Sequence, residues 1–202
     1  MKSVTKRIGY VGFSLLVIMI LFAIFGPMLI PYDSSEQTGA SFEPPSSAHL
    51  LGTNDIGQDI LAELADGART SLFLGISIAT LATFIGALIG ISAGYIGGWY
   101  ETIMMRTIDV VLTLPFLPLM IVVAVYMGQG LFTEICIIAL LMWAGKARQM
   151  RAQTLSIKSL GHVQAAISMG ASHFYIFKKH ILPGIFPLLI PQFVSAVNAA
   201  IL

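Results

Sequence analysis

The feature that most constrains this chain is a set of long stretches that contain no charged residue. Three of them cover residues 8–32, 70–100 and 181–202 of a 202-residue sequence. A helix needs about 20 apolar residues to cross the hydrocarbon core of a bilayer, so each stretch is long enough to span a membrane. Only 10% of the residues are charged, whereas a soluble domain carries about 25%. The sequence therefore predicts an all-α polytopic membrane protein.

Five membrane spans are expected along the chain. The first is interpreted as a span and not as a cleaved signal peptide, because its apolar run is too long and no small-residue cleavage pattern follows it. In the third span Pro115 and Pro118 should produce a kink, and a tight turn at residues 128–130 should follow it. The predicted spans lie within 8–32, 72–95, 108–127, 131–147 and 181–202.

The distribution of basic residues predicts the orientation of these spans. Every Lys and Arg except Arg69 falls in one of three segments, 1–7, 96–107 and 146–180. Cytoplasmic loops of membrane proteins carry the excess of positive charge, so we expect these segments and the N-terminus in the cytoplasm. The chain then divides into a tail with the first helix (1–32), an extracytoplasmic segment (33–69) and a transmembrane core (70–202).

The predicted extracytoplasmic segment is strongly acidic. Residues 34–47 have the composition of an irregular loop, and Asn54 or Asp55 is expected to cap a short helix lying along the membrane interface. The pair Asp55 and Asp59 lacks the ligand spacing of a calcium loop, so a solvated acidic face is the preferred interpretation. The apolar side of the short helix is formed by Ile56, Ile60, Leu61 and Leu64.

Glycines recur every four residues in the second predicted span, at Gly86, Gly90 and Gly94. Such a stripe lets another helix approach closely. The partner helix can belong to the same chain or to a second subunit, and the sequence leaves both possibilities open. In the third span, Asp109 is expected in the first turn, where a carboxylate suits the positive end of the helix dipole.

The longest polar segment between the predicted spans on the cytoplasmic side is residues 161–183, and it contains no acidic residue. We predict two short helices, the first ending at Gly170, which accepts a left-handed backbone, and the second beginning at Ser172 as N-cap and ending at Ile181. Apolar residues at helical spacing give the pair one apolar face, a shape suited to contact with a soluble partner. These residues are Leu160, Val163, Ile167, Phe174 and Phe177.

Catalytic chemistry is not indicated. The sequence contains neither a phosphate-binding loop nor a zinc-protease or nucleophile-elbow motif, and its single cysteine, Cys136, forms no disulfide framework. His162, His173 and His180 are interpreted as surface residues and not as metal ligands, because no carboxylate accompanies them. No cofactor is therefore expected.

Two classes of transport protein fit these observations. An ion-coupled secondary transporter or channel subunit usually places acids near the membrane midplane. Here the acids of the predicted spans, Asp109 and Glu134, lie at the span ends. This favours a passive pathway whose energy source lies outside the chain.

Several motifs in residues 50–202 resemble those of ABC-importer permeases of the dipeptide, oligopeptide and nickel branch. Gln164, Ala165 and Ala166, then Gly170, then Ile181-Leu182-Pro183 are similar to the EAA loop of that family, with Gln164 in place of its usual Glu. Further similarity lies in LGTNDIGQDI (51–60), where Gln58 replaces an expected Arg, in GARTSLFLG (67–75), and in AGYIGGWYETIMMRTIDVVLTLPFLPL (93–119).

The resemblance implies a function and a set of partners. Residues 164–170, with Ala171, would form a coupling helix docked on an ATPase, and the helix from Ile181 would transmit its motion. The implied partners are a second permease subunit, two cytoplasmic ATPase subunits and an extracytoplasmic solute-binding protein, in the inner membrane of a prokaryote. A sixth helix would follow the fifth, so we expect these 202 residues to be a truncated or fragmentary permease.

Overall fold

The computed structural model describes residues 2–128 and 130–202, with residues 2–6 and 8 described by their backbone only. Within this part, β-structure is limited to two isolated bridges, so the predicted all-α class is confirmed. Met1, in the predicted tail, and Gln129, in the predicted turn, lie outside the described residues. The helices are α1 (Lys2–Leu29), α2 (Ile60–Ile96), α3 (Gly98–Thr113), α4 (Phe116–Met127), α5 (Leu131–Lys158), α6 (Gly161–Ser168), α7 (His173–Ile176) and α8 (Leu182–Ile201), with a π-helical segment, Phe177–Ile181, between α7 and α8.

Three helical stretches of the described chain are long and apolar enough to cross a membrane: Gly9–Leu29, Ile60–Ile96 and His173–Ile201. The helices α3 and α4 meet the same requirement together, as a pair bent by 84°. The described part therefore has three candidate spans, or four if the bent pair is one span. The predicted fourth span, 131–147, is the start of the 28-residue α5, which is not among them, so the count of five stays a prediction.

The chain forms two compact units, residues 1–73 and 74–202. In the first unit α1 packs against the start of α2 at Gly26, where an added Cβ would lie 3.0 Å from the Cβ of Ala65. The segment between the two helices is held by backbone hydrogen bonds, such as Thr53 N–H to Glu43 O (3.1 Å) and Ile60 N–H to Gly52 O (3.1 Å). The segment predicted to be irregular is therefore ordered without being helical.

Asp59 organises the end of this segment. Its Oδ1 accepts the Ala62 N–H (2.8 Å), the geometry of a helix N-cap, and its Oδ2 lies 2.9 Å from His49 Nδ1. Both side chains are buried, with Asp59 2% and His49 4% exposed. Two predictions are wrong here. Asp59 is buried and does not lie on a solvated face. The helix is capped by Asp59 and not by Asn54 or Asp55. The short interfacial helix that was expected here is the first part of α2.

In the second unit α5 is the central helix, and the glycine stripe of α2 lies against it. A Cβ added to Gly86 would lie 2.6 Å from the Cβ of Lys146, and one added to Gly94 would lie 2.9 Å from the Thr154 Cβ. At Gly90 the added atom would overlap the Ala147 carbonyl oxygen. The sequence left open whether the helix packed on these glycines belongs to this chain or to a second subunit. In the structure α5 of the same chain packs on them.

Pro115 separates α3 from α4. The residue before a proline avoids the helical region, and Leu114 is extended (φ −69°, ψ 135°). The expected kink is therefore a break, whereas Pro118 lies in the first turn of α4, where a proline is tolerated. The predicted first-turn position of Asp109 is also wrong, because α3 begins at Gly98 and places Asp109 in its last turns.

Ion pairs and one buried cation join the helices around α5. Arg148 pairs with Asp109, and Arg151 Nε donates to Glu101 Oε1 (2.6 Å), so two bases of α5 meet two acids of α3. Lys146, counted above with the cytoplasmic bases, is only 7% exposed. Its Nζ lies 3.3 Å from the Gln192 carbonyl oxygen of α8, so it belongs to the helix core.

The contact at Gly90 can be tested with matched alanine substitutions. In Gly90→Ala the new methyl group meets the α5 backbone, which cannot move aside as a side chain can, so we expect a loss of stability of about 1–3 kcal/mol. In Gly145→Ala, on α5, the methyl group meets no described atom within 4 Å, so stability should be unchanged or slightly raised. Thermal unfolding of both variants in the same detergent measures the difference, and equal midpoints would contradict the packing described here.

Candidate coupling surface

The segment that resembles the family's coupling loop connects the end of α5 to the start of α8. It consists of α6, a turn at Met169–Ala171, the four-residue α7 and the π-helical segment, which continues into α8 without a break. The expected second helix therefore does not end as a separate element at Ile181. In the structure α7, the π-helical segment and α8 form one continuous helical stretch, His173–Ile201.

Gly170 ends α6 in the way its residue type predicts. Its φ is +80°, in the left-handed region that side chains with a Cβ disfavour. The Ala171 N–H donates to the Ala166 carbonyl (3.1 Å) and the Gly170 N–H to the Ile167 carbonyl (2.9 Å), which is the hydrogen-bond pattern of a Schellman motif. Ser172 then caps α7, since its Oγ accepts the Tyr175 N–H at 3.3 Å.

The apolar residues of the segment point in two directions. Val163 (0% exposed), Ala166, Ile176 and Ile181 are buried, and all but Ala166 join Met150 and other residues in one core cluster. The single apolar face expected from the helical spacing is therefore wrong in part. Val163 faces inward, Phe177 is half-buried, and Leu160, Ile167 and Phe174 are exposed.

The outward residues form an exposed apolar surface, here called the docking patch. Met169 is 81% and Phe174 73% exposed, and the nearby Lys178 and Lys179 are exposed as well. An exposed apolar patch with a polar rim is typical of a protein–protein contact. The docking patch comprises Leu160, Ile167, Met169, Phe174 and Tyr175.

A network of polar contacts ties the segment to the ends of α2 and α5. The Tyr95 hydroxyl donates to the His173 carbonyl (2.5 Å), and the Tyr95 ring packs on Phe177 with centroids 5.3 Å apart. Lys158 Nζ donates to the Tyr95 carbonyl (2.9 Å) and lies 5.7 Å from the centroid of the Tyr95 ring. Tyr95 thus contacts the start of α7 and the last residue of α5 at the same time.

Gln164 adds a contact on the other side of the loop. Its Nε2 donates to the Lys158 carbonyl at 2.7 Å, and Lys158 is the last residue of α5. The final carbonyls of a helix have no partner within it, so this amide satisfies one of them. A carboxylate at position 164 could not donate this hydrogen bond and would face the negative end of the α5 dipole.

The remaining predicted residues lie at distinct places along the segment. Ala165 is exposed beside Gln164, and Ala171 is half-buried against the core cluster. At the start of α8, Leu182 and Pro183 are exposed while Ile181 is fully buried. The glycines at positions 86, 90 and 94 face α5, and Gly94 lies next to Tyr95, so the stripe ends where the polar network begins.

Sequence reasoning missed three residues of this surface. Tyr95 was interpreted only as the end of the second span, and Lys158 only as a cytoplasmic base. Met169 was not considered. A tyrosine at the polar end of an apolar run is a signal that could have been used, because its hydroxyl needs a partner when the ring is packed. That partner, the His173 carbonyl, lies 78 residues away in sequence, so no local pattern could identify it.

Histidines meet on the same segment without forming a metal site. The rings of His162 and His180 lie with centroids 5.6 Å apart, and the His173 ring packs edge-on against Tyr95 at 6.4 Å. No group of three or more potential metal ligands occurs in the part of the chain that the structure describes.

We predict that Gln164→Glu loosens α6. The substitution removes the hydrogen bond to the Lys158 carbonyl, a loss of about 1 kcal/mol for an exposed contact, and places a negative charge beside the carbonyl end of α5. Hydrogen exchange of the α6 amides should rise, while exchange in α2 stays as in the wild type. Gln149→Glu, the same change at an exposed position of α5, is the control, and an equal effect of both would contradict the role of Gln164.

Comparison with known proteins agrees with the resemblance. Residues 86–202 match the family described as binding-protein-dependent transport system inner membrane component, and residues 4–45 match the N-terminal transmembrane domain of oligopeptide transport permease C. The dipeptide transport system permease protein of Bacillus subtilis is 37% identical over 97% of this chain and 62% of its own length. The glutathione transport system permease protein of Pectobacterium atrosepticum is 36% identical over 83% of this chain and 56% of its own length.

The oligopeptide transport system permease protein of Bacillus subtilis is also 37% identical, over 89% of this chain and 59% of its own length. The chain thus spans about three fifths of the curated relatives it matches. A family match over more than half of the chain, together with these identities, establishes the relationship. The chain belongs to the family of inner membrane components of binding-protein-dependent transport systems.

Proposed function

We propose that this chain is a permease subunit of an ATP-driven ABC importer and forms half of the translocation pathway. The proposal rests above all on the docking patch, which joins exposed apolar residues to a helix of the membrane core. Its residues lie on α6, α7 and the turns beside them, in the same segment as the buried residues Val163 and Ile181. A soluble partner that grips the patch can thus act on α8 directly.

The sequence supplies no group that could use ATP itself, since it contains no phosphate-binding loop. Two ATPase subunits bound at the docking patch would provide the energy, and the apolar patch with its basic rim suits a groove with an acidic border. A second permease subunit would complete the pathway, and an extracytoplasmic solute-binding protein would deliver the solute. The positive-inside distribution supports a cytoplasmic N-terminus, and with that orientation the docking patch would lie on the side of the ATPases.

The proposed solute is a peptide or a similar small molecule. The relatives described above are named for dipeptide, oligopeptide and glutathione transport, and these names favour a peptide over a nickel complex for this chain. The identities of 36–37% support the class of solute, and the size and sequence preference would be set by pathway residues.

Two links would carry the motion from the ATPase to the membrane. The first is covalent, because α7 continues through the π-helical segment into α8. The second is the polar network, in which Tyr95 joins the start of α7 to the end of α2. Since α2 and α5 are in close contact through the glycine stripe, a pull on Tyr95 would move both helices together.

The coupling role of the loop can be tested at Gly170. A β-branched residue at φ +80° costs about 1–2 kcal/mol of backbone strain, which corresponds to a roughly five- to thirtyfold change in an equilibrium. We expect Gly170→Val to insert normally and to recover several-fold less of the ATPase subunits on co-purification. Peptide uptake should fall in parallel.

Gly161→Val is the matched control for this experiment. Gly161 also lies in open space, where an added Cβ meets no described atom within 4 Å, but it needs no left-handed backbone. It is a better control than Ala171, which packs against the core cluster. Equal recovery of the ATPase subunits from Gly170→Val and wild-type membranes, at matched expression, would overturn the coupling role.

The second link makes a separate prediction for Tyr95. Tyr95→Phe keeps the ring and its contact with Phe177 but loses the hydrogen bond to the His173 carbonyl, worth about 1 kcal/mol. We expect normal co-purification of the ATPase subunits and about fivefold less solute transported per ATP hydrolysed. Tyr10→Phe, at an exposed tyrosine of α1 outside the docking patch, should leave this ratio unchanged. A wild-type ratio for Tyr95→Phe would show that the covalent link alone suffices.

A further inference from the structure

A cavity of about 360 Å³ lies in the first unit, at the end of α1 that faces the start of α2. Its volume is in the range of small-molecule sites. The walls combine apolar groups, among them Pro31 and Tyr32, with the charged side chains of Asp33, Asp66 and Arg69. The proposed function uses none of these residues.

The charged groups of the cavity are available for a ligand. Arg69 has no carboxylate within 4 Å among the residues described, although it lines the same cavity as two acids. Asp66 accepts one hydrogen bond through Oδ2, from the Ser34 hydroxyl at 3.0 Å. The Ser35 hydroxyl, and after it the Ser35 backbone N–H, lower the pKa of Asp33, so this carboxylate stays ionised.

The positions of Arg69, Asp66 and Asp33 along the helix axis indicate the charge order that a ligand of the cavity would need. Arg69 lies three residues after Asp66 on α2, about 4.5 Å closer to the uncharged part of the helix, which begins at Thr70. Asp33 follows the end of α1 and lies beyond its apolar span, Gly9–Leu29. Viewed from the membrane outward, the cation therefore comes first and the two carboxylates come second.

We propose that this cavity binds the headgroup of a zwitterionic phospholipid with a primary amine, such as phosphatidylethanolamine. In that lipid the phosphate is attached next to the acyl chains and the ammonium group lies farther out, which matches Arg69 followed by Asp66 and Asp33. Arginine binds phosphate through two parallel hydrogen bonds, and the carboxylates accept from the ammonium group.

The surroundings of the cavity fit a lipid better than a free zwitterion such as a peptide. Met28 and Leu29, at the end of α1, are exposed apolar side chains along which an acyl chain can lie. Tyr32, in the cavity wall, has the amphipathic ring that is enriched at membrane interfaces. A peptide would use the charged groups but would leave this apolar surface uncovered.

The test is lipid retention by the full chain in mild detergent, measured by native mass spectrometry. Phosphatidylethanolamine and phosphatidylglycerol with the same acyl chains are added in equal amounts. The wild-type chain should retain the ethanolamine lipid over the glycerol lipid by about threefold to fivefold, the range expected for a partly exposed charge pair. Equal retention of the two lipids would overturn the proposal.

Two substitutions and one competitor sharpen the result. Asp66→Asn keeps an acceptor for Ser34 and should abolish the preference, whereas Asp55→Asn, which removes the same charge outside the cavity, should keep it. An equal loss in both would mean a general field effect and would overturn the site. If dialanine displaces the ethanolamine lipid from the wild-type chain, the cavity is a peptide subsite and the lipid assignment is wrong.

Discussion

The close contact between α2 and α5 is the interaction on which the rest of the second unit depends. In lipid, helices gain little from burying apolar surface, so their association relies on van der Waals contact and interhelical hydrogen bonds. Glycines at positions 86, 90 and 94 bring the backbone of α2 against α5. The ends of these two helices carry Tyr95 and Lys158, and Tyr95 donates a hydrogen bond to the loop at His173.

Features that depend on a single residue and its nearest neighbours could be predicted from the sequence. Gly170 was expected to end a helix with a left-handed backbone, and Ser172 to cap the next one, because both properties belong to the residue type. Pro115 was expected to disturb its helix for the same reason. The apolar character of α1 and of most of α2 likewise follows from composition, whereas the start of α2 at Ile60 was not predicted.

Features that depend on contacts between distant residues could not be predicted in this way. Helical spacing placed Val163 and Phe174 on one face, but the turn at Gly170 separates them, and Val163 is buried while Phe174 is exposed. Asp59 was interpreted as part of a solvated acidic face because its spacing from Asp55 does not match a calcium loop, and its partner His49 lies ten residues away across an ordered loop. Asp109 was assigned to a first turn because the start of α3 could not be located.

The residue at position 164 shows how such contacts change the interpretation of a departure from a family pattern. Compared with the Glu that is usual in the family, Gln164 lacks a negative charge. In the structure the side chain is already engaged within the chain, donating to the Lys158 carbonyl at 2.7 Å. A neutral donor suits that carbonyl, since the end of a helix carries a partial negative charge. Gln164 therefore fastens α6 to α5, and the docking patch is left to apolar contacts and to the lysines at its rim.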